Sequence, residues 1–498
     1  MSHRARDADP PEPASSRAVV LARILVPIAL GVVGYAVLIS ERWEVDHELQ
    51  LVAPDRVRPG DPIPLRAFVF DGIDDPDGGE LVAAQVDVEL RDGERVLART
   101  TLDTSRARSS EGALAPPDDA TDARLDLVAS ARDDDGALLA TVTRALTIEP
   151  DAPPAPLRGR VGLPLQQIDV GPVIAEATGV PLPPLEVRVA GGACVPEERC
   201  ALWIDAGDAD TITIEETPAA SVGERSTRDG ALVRLVVVPH GPEASVELVA
   251  SRLGQPLARR TVRLPIALAT PWIDAPRVVS SMPIPLEAHP PVGREVLTAD
   301  LFYEGRWIAT ATLDPARPEL PFDVGPGLYR VEVRADPFGG ERAAARYVLV
   351  APAGSDLALH DTRELLRRED VELTDREGTE PRLLLAGAEE EVRTLPSAIS
   401  GLEDDRRMVA ERRRRLHFVA GLALGLGIAV LAMSLLRRGL FAAAEARDVM
   451  HEAGDPEARS VRARARTTLA VIAIVGAVAV ALLAGAALIL ARAALVTG

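Results

Sequence analysis

The stretch AQVDVELR, residues 84–91, alternates apolar and polar side chains without a break. Ala84, Val86, Val88 and Leu90 fall on one side of an extended chain, and the amide and charged residues fall on the other. Successive side chains of a β-strand point to opposite faces, so a period of two predicts a strand with one buried and one exposed face. The stretch therefore indicates a β-sheet protein.

The same alternation recurs further along the chain, and short turn sequences such as Asp92-Gly93 and Glu304-Gly305 separate the alternating segments. These further segments are 125–132, 185–190, 297–303 and 329–335. Each of them is expected to be a half-buried strand. Strands this short, joined by tight turns, predict β-sandwiches.

Two short sequence motifs occur twice in the chain, in the same order. PIPLRA at 62–67 returns as PIPLEA at 283–288, and RVLARTTLD at 95–103 returns as RWIATATLD at 306–314. Such an ordered repeat indicates duplicated modules, and proline-rich joints mark their ends. We therefore expect three β-sandwich modules and a mixed helical juxtamembrane segment, at 44–150, 157–268, 271–352 and 356–415.

Three apolar stretches predict transmembrane helices at 18–40, 416–436 and 469–491. The last two are 21 and 23 residues long and carry no Asp, Glu or Arg, and about 20 helical residues cross a bilayer core. The first has 16 uncharged residues, 24–39, and needs Arg23 to lie at the membrane edge. It also fits a cleaved signal peptide, with Gly34 and Ala36 as its small residues.

Arginines indicate the orientation of these spans. The first 23 residues and the segment 437–468 together carry eleven arginines, whereas the C-terminal tail carries only Arg492. Because arginine is enriched on the cytoplasmic side, we expect a disordered cytoplasmic tail at 1–17, a cytoplasmic loop at 437–468 and extracytoplasmic modules. Counted over all flanks, the arginines are nearly balanced between the two sides, at eleven and ten.

Four consecutive arginines at 412–415 precede the second span. We interpret them as a collar at the lipid headgroups, because long cationic side chains reach the membrane surface from a helix end. Glu403 with Arg407 and Glu411 with Arg415 are spaced four residues apart, which predicts ion pairs on a helix.

The formal charge is −20, and residues 41–411 alone carry −28. An acidic body of this size repels nucleic acid and anionic lipid, so we expect no nucleic-acid partner. All 55 basic residues are arginine. The absence of lysine excludes a phosphate-loop lysine, a lysine Schiff base and an S-x-x-K nucleophile.

Cys194 and Cys200 are the only cysteines and form a C-x5-C loop. A short loop between neighbouring strands predicts a disulfide, which would persist only in an oxidising compartment. A pair of reduced core thiols is the alternative. A zinc site would need further ligands, and no histidine lies nearby in the sequence.

The loop at 71–80 gathers five acids that offer oxygen ligands for calcium: Asp71, Asp74, Asp75, Asp77 and Glu80. Its spacing misses the EF-hand register, so a solvated acidic turn is the favoured interpretation. We expect neither a bound metal nor a cofactor.

The sequence predicts a protein that is not an enzyme. Seven histidines are scattered, and neither H-E-x-x-H nor G-x-S-x-G occurs. A Ser-His-Asp site assembled from distant positions remains open, because triads need no sequence motif.

Small residues in the second and third spans, Gly421 with Gly425 and Ala481 with Gly485, are spaced for close helix packing. They predict either packing of the two spans against each other or contact with a partner helix.

The segments RPGDPIPLRAFVFD at 58–71 and VGPGLYRVEVRA at 324–335 resemble the macroglobulin-type and immunoglobulin-like sandwich modules of bacterial envelope proteins. The resemblance covers 48–103 and 283–335 at most, and it implies a fold only. The chain lacks the C-x-E-Q thioester motif of the macroglobulin proteins, so protease trapping is not implied.

These observations predict a mainly β ectodomain of tandem Ig-like/macroglobulin-like sandwiches, with three transmembrane α-helices and a juxtamembrane helical segment. We expect a multi-pass inner-membrane protein with lipid contacts and a protein partner in the envelope, acting as an extracytoplasmic binding or scaffolding protein. The alternatives are an accessory subunit of a transporter or secretion complex, docked through spans two and three, and a periplasmic hydrolase.

Overall fold

A computed structural model describes most of the chain between residues 45 and 452. The described ranges are 45–72, 79–105, 109–117, 123–160, 186–205, 207, 209–229, 232–280, 282–314, 316–336, 343–352, 362–371 and 380–452, with 24, 27–28, 31–36, 38–39, 467, 470 and 476. Contacts divide the chain into two compact units, Asp46–Leu402 and the remainder, Met1–Val45 with Glu403–Gly498. The larger unit is mainly β.

Module 1 is a sandwich formed by the first nine strands of the described residues. These are β1 His47–Val52, β2 Arg56–Val57, β3 Ile63–Asp71, β4 Glu80–Leu81, β5 Ala84–Asp92, β6 Arg95–Thr104, β7 Ser110–Leu114, β8 Ala123–Arg132 and β9 Leu138–Ile148. One sheet holds β1, β3, β4 and β7, and the other has the order β2-β9-β8-β5-β6. Leu65 of the first sheet and Val88 and Leu127 of the second share one core. Strand β5 buries alternate residues, as its sequence predicts.

Module 2 follows a short strand, β10 Leu157–Arg160, which belongs to neither of its sheets. The strands of module 2 are β11 Glu186–Val189, β12 Cys200–Asp205, β13 Thr211–Glu215, β14 Ala220–Asp229, β15 Leu232–Pro239, β16 Ser245–Arg252 and β17 Gln255–Arg263. Sheets of order β11-β12-β15-β14 and β13-β16-β17 face each other. Leu202 and Leu235 meet Leu248 in their shared core.

Module 3 contains β18 Trp272–Asp274, β19 Val278–Val279, β20 Ile284–Pro285, β21 Glu287–His289, β22 Thr298–Tyr303, β23 Arg306–Thr312, β24 Glu319–Leu320, β25 Gly327–Arg334 and β26 Ala343–Val350. Its main sheet has the order β19-β26-β25-β22-β23. The pairs β18-β21 and β20-β24 cover one face of this sheet, where Ile273 and Ile284 meet Leu301 and Val331.

The chain then runs back across all three modules in what we call the return segment, the described residues 362–371 and 380–400. It contains α1 Thr362–Arg368, α2 Pro381–Ala388, β27 Glu391–Arg393 and β28 Ile399–Ser400. Strand β27 pairs with β10, and β28 pairs with β1. Leu385 of α2 packs on module 3, Leu383 packs on module 2, and Leu395 reaches the junction of modules 1 and 3. The segment predicted as mixed helical thus contributes strands as well.

Strands β22 and β25 correct one expectation. The sequence predicts half-buried strands at 297–303 and 329–335, but β22 and β25 are buried on both faces. Tyr329 and Val331 lie in the core of module 3. On the opposite face, Arg330 and Glu332 are also buried because the return segment covers them.

The last described helix, α3 Leu402–Glu452, is 51 residues long. Its part Leu402–Phe441 is long and apolar enough to cross a membrane, and it is the one such helix among the described residues. Of the predicted span at 18–40, residues 24, 27–28, 31–36 and 38–39 are described, and they are helical. The predicted span at 469–491 is described only at 470 and 476, and the tail at 1–17 lies outside the described residues. The predicted loop at 437–468 begins as helix, because α3 continues to Glu452. Arg415 pairs with Glu411 at 3.6 Å, whereas Arg407 pairs with Asp404 at 2.7 Å.

Candidate functional site

A cleft of about 1210 Å³ opens between modules 2 and 3, and we call it the intermodule cleft. Module 2 contributes the outer face of β12 and β15, module 3 contributes β18 and β21, and the return segment contributes Arg382. Leu202 and Ile204 of β12 point into the core. Strand alternation therefore places Trp203 on the outer face, beside Arg234 in the register of β15.

Trp272 forms one wall of the cleft. Its indole Nε1–H donates to the carbonyl oxygen of Arg199 at 2.7 Å. The Arg199 guanidinium carbon lies 5.6 Å from the ring centroid of Trp272, and the His289 ring stacks on that indole at 4.9 Å between centroids. Arg199 precedes Cys200 of the disulfide, so the position of this wall depends on the disulfide-bonded loop.

Trp203 also lines the cleft, on the side of module 2. The Arg382 guanidinium carbon lies 5.5 Å from its ring centroid, within the range of a cation–π contact. Leu383 and Ala386 of α2 pack with Trp203 as well. The return segment therefore fixes the second aromatic wall.

The charge of the cleft is opposite in sign to that of the body around it. The described residues that line it include six arginines and four carboxylates, although residues 41–411 carry a net charge of −28. The arginines are Arg199, Arg234, Arg277, Arg317, Arg346 and Arg382. Arginine and tryptophan dominate the energetics of protein interfaces, so the lining suits an acidic segment with apolar or aromatic side chains.

A buried carboxylate, Glu389, pairs with two of the arginines that line the cleft, Arg277 and Arg346. Arg277 Nη2 donates to Glu389 Oε2 at 2.9 Å, and the backbone N–H groups of Tyr347 and Gly191 donate to the same carboxylate at 2.8 and 3.2 Å. Burial lowers the pKa of Arg346, and the negative charge of Glu389 opposes that effect. This carboxylate joins the return segment to modules 2 and 3.

A second group of buried charges joins module 1, module 3 and the return segment, and we call it the charged junction. Its described members are Arg66, Glu111, Asp300, Arg330, Glu332, Arg334, Glu369 and Arg393, four arginines and four acids. Arg66 Nη2 of module 1 donates to Asp300 Oδ1 at 2.7 Å, and Arg334 Nε donates to the other oxygen of Asp300 at 3.1 Å. The side chains of these ion pairs are at most 6% exposed, so modules 1 and 3 are held as neighbours by charges with little access to water.

Glu369 is a member of the charged junction whose pKa is raised. Its side chain is 2% exposed, and burial raises its pKa from 4.5 to about 7, although Arg393 and the Gly305 N–H stabilise the charged form. The Gly305 N–H donates to Glu369 Oε2 at 3.1 Å, and Arg393 Nη2 lies 3.6 Å from that oxygen.

The structure places the residues singled out from the sequence as follows. Cys194 and Cys200 are joined by a disulfide, with their Cα atoms 5.3 Å apart. Gly421 and Gly425 lie on α3, and among the described residues no atom beyond the local helix backbone lies within 4 Å of a Cβ placed at Gly425. Ala481 and Gly485 lie outside the described residues, so close packing of the second and third spans stays a prediction.

The acidic loop at 71–80 is described only at its ends, where Asp71 and Glu80 pair in the register of β3 and β4. Asp74, Asp75 and Asp77 lie outside the described residues. In the part of the chain that is described, no three His, Cys, Asp or Glu side chains are grouped so that they could hold a metal ion.

Sequence reasoning missed the intermodule cleft, because Trp203, Trp272 and Arg382 come from three distant parts of the chain. One signal was present. In CALWID, the alternation that buries Leu202 and Ile204 places an aromatic residue on the outward face, and an outward tryptophan suggests a covering element or a ligand.

Sequence comparisons match the chain to no protein family and to no curated protein. One similar solved structure is latent PorU from Porphyromonas gingivalis, with 12% identity over 62% of this chain and 34% of that chain, at a TM-score of 0.20. The Escherichia coli adhesin FdeC matches with 12% identity over 62% of this chain and 98% of that chain, at 0.16. Domains 4–9 of the surface layer protein SbsC match with 10% identity over 61% of this chain and 50% of that chain, also at 0.16. The match thus spans about a third of PorU and half of the SbsC fragment, and at these scores it carries no functional argument.

Proposed function

We propose that this chain is a membrane-anchored binding or scaffolding protein of a bacterial envelope, and that it holds a protein partner in the intermodule cleft. The observation that carries the proposal is the lining of that cleft, which contains two tryptophans and six arginines on an otherwise acidic body. The partner segment is acidic and carries apolar or aromatic side chains.

Two observations support the placement at a membrane. Along α3, large apolar side chains such as Phe418, Leu426 and Leu436 are exposed, which suits contact with lipid. The Cys194–Cys200 disulfide suits an oxidising compartment outside the cytoplasm. Together with the arginine distribution, they support an inner-membrane protein with a cytoplasmic N-terminus and extracytoplasmic modules.

Rigidity supports a scaffold. The charged junction and Glu389 are buried, so separating the modules would leave these charges without their partners. A preformed cleft binds with little ordering cost, because its walls are already fixed. The modules therefore suit a role in presenting a fixed surface.

Site-directed photocross-linking tests the proposal in native membranes that contain the full-length chain. A benzophenone amino acid replaces Arg317 at the cleft, and a control carries it at Leu253, an exposed turn residue of module 2. We expect a discrete adduct from position 317 that is lost when Arg199→Glu and Arg382→Glu are added. Charge reversal at Arg252, outside the cleft lining, should leave the adduct intact. An adduct that ignores the cleft reversals, or that forms equally from position 253, would contradict a partner in the cleft.

A further inference from the structure

Three residues of module 2, Glu197, Ser221 and His240, meet on its surface in an arrangement that we call the serine relay. His240 Nε2 lies 3.1 Å from Ser221 Oγ, and His240 Nδ1 lies 3.1 Å from Glu197 Oε2. With Nδ1–H donating to Glu197, Nε2 is left to accept from the Ser221 hydroxyl. This is the order of nucleophile, base and orienting acid found in serine hydrolases.

The sheet of module 2 places the serine and the histidine. Ala220 of β14 lies in the core, so the next residue, Ser221, points outward. His240 follows directly after β15, and its backbone N–H donates to the carbonyl oxygen of Ala219 at 2.7 Å. A bulge follows the serine, because the β14–β15 register shifts between Val222 and Glu224. Bulges are common next to active sites, where they re-aim a side chain.

The disulfide loop places the glutamate. Glu197 lies between Cys194 and Cys200 and has a φ of 64°, a left-handed conformation that costs a residue with a Cβ about 1 kcal/mol or more. Its N–H donates to the carbonyl oxygen of Pro239 at 2.9 Å, which fixes the loop beside His240. Strain held in place by a cross-link and a hydrogen bond is typical of a residue that positions a functional group.

We propose that Ser221 is a nucleophile toward carboxylic esters, with His240 as its base and Glu197 as the positioning residue. The relay is open to solvent, since the His240 and Glu197 side chains are 38% and 70% exposed. It therefore suits ester groups on a polymer or an extended chain more than a small enclosed substrate. This activity goes beyond the proposed binding function, and it departs from the expectation of a non-catalytic protein that the missing sequence motifs suggested.

The reaction balances without a further reactant except water. Ser221 Oγ attacks the ester carbonyl carbon, and the hydroxyl proton passes to His240 Nε2. The bond between that carbon and the ester oxygen breaks, and the leaving alcohol takes the proton from His240. Water then attacks acyl-Ser221 and gives its proton to His240, which returns it to Ser221 Oγ as the carboxylic acid leaves.

The test labels the purified full-length chain in detergent with a fluorophosphonate probe and maps the adduct by mass spectrometry. We expect an adduct on Ser221, formed about a hundredfold more slowly in His240→Gln. Glu197→Gln and the pair Cys194→Ser with Cys200→Ser should also slow it. Glu197→Asp should recover part of the loss, which a purely structural role would not show. The controls Ser245→Ala and His47→Gln should label normally, His47 being paired with Asp71 at 3.6 Å outside the relay.

Hydrolysis of p-nitrophenyl acetate gives a second readout that does not depend on the fold of the histidine variant. Ser221→Ala removes one oxygen and keeps the ring and the loop, so it should abolish hydrolysis above background while thermal unfolding stays unchanged. No adduct on Ser221, an adduct that forms equally fast in a folded His240→Gln, or equal hydrolysis by Ser221→Ala would overturn the proposal. In each of these cases, the three residues would only brace the disulfide loop.

Discussion

Asp300 shows how this protein keeps charges in its interior. One buried carboxylate accepts from Arg66 and Arg334, and the Trp307 indole N–H donates to it at 3.1 Å. Thr310 accepts a further hydrogen bond from Arg66 at 2.7 Å. A buried ion pair tolerates desolvation only when its remaining donors and acceptors are satisfied. Such a site contributes mainly to fixing one arrangement of the modules, because any other arrangement would leave a charge unpaired.

Glu369 makes stability depend on pH. Its pKa in the folded chain is about 7, above the 4.5 of the free side chain, so the folded state holds a proton that the unfolded state has released over this interval. The free energy of unfolding should therefore fall as pH rises from about 4.5 to about 7, by up to about 3 kcal/mol from this group. Below that interval the contribution is fully present, and above it the contribution is lost.

Glu369→Gln tests this dependence, because glutamine keeps an acceptor for the Gly305 N–H and does not titrate. Urea unfolding should give the free energy of unfolding of variant and parent at about pH 5 and at about pH 8. The difference, variant minus parent, should be larger at about pH 8. The matched control is Glu364→Gln on α1, where the carboxylate is 59% exposed. A difference between variant and parent that is the same at both pH values would contradict a raised pKa.

Helix α2 is the element on which the intermodule cleft and the charged junction both depend. It begins with Pro381 after Glu380, which suits the first turn of a helix, where proline costs no hydrogen bond. Leu383 faces module 2 and Leu385 faces module 3, so this short helix packs between them. Its last residues lead into Glu389 and β27. Local helix propensity has little part in this, because eight residues are too few to be stable alone.

Leu385→Ala tests the dependence at this scale. Leu385 is 1% exposed, and removing a buried leucine side chain costs about 2–5 kcal/mol. Hydrogen exchange should rise first in α1, α2 and β27, while β5 and β8 of module 1 stay protected. Leu253→Ala, at an exposed turn, should leave exchange unchanged. Uniformly faster exchange across the unit would argue against α2 as a separately docked element.

At the scale of the whole molecule, the three modules and the return segment behave as one unit, Asp46–Leu402. The unit has hydrophobic cores between pairs of sheets and buried charges between modules. The second unit contains α3, whose apolar side chains are exposed. A long helix of that kind is unfavourable in water, so we infer a bilayer around it.

Reporter insertion tests the side of the membrane on which the modules lie. The turn at Gly293 is a suitable site because its neighbour Val292 is fully exposed. We expect alkaline phosphatase inserted there to be active and green fluorescent protein to stay dark, because the modules are exported before they fold. The same reporters inserted after Glu452 should give the reverse. A fluorescent insertion at Gly293 would place the modules in the cytoplasm, and the proposed role would fail with that placement.

The amino-acid sequence by itself determined the strands. Period-two alternation, as at 84–91, is a local property of the backbone, so it predicted β5 and its buried face without any knowledge of neighbours. It also predicted sandwich folding and the apolar segment of α3. Whether another part of the chain covers the polar face of a strand is not a local property. The arginines and the glutamate of β25 form a polar face that has the same sequence pattern as a face exposed to solvent.

Only the tertiary structure decided where the functional candidates lie. The walls of the intermodule cleft come from positions near 203, 272 and 382, and the serine relay comes from 197, 221 and 240. Each set is brought together by strand register, by a disulfide loop and by the return of the chain across the modules. Such contacts depend on the packing of whole elements, whereas sequence periodicity reports only which way a side chain points from its own strand.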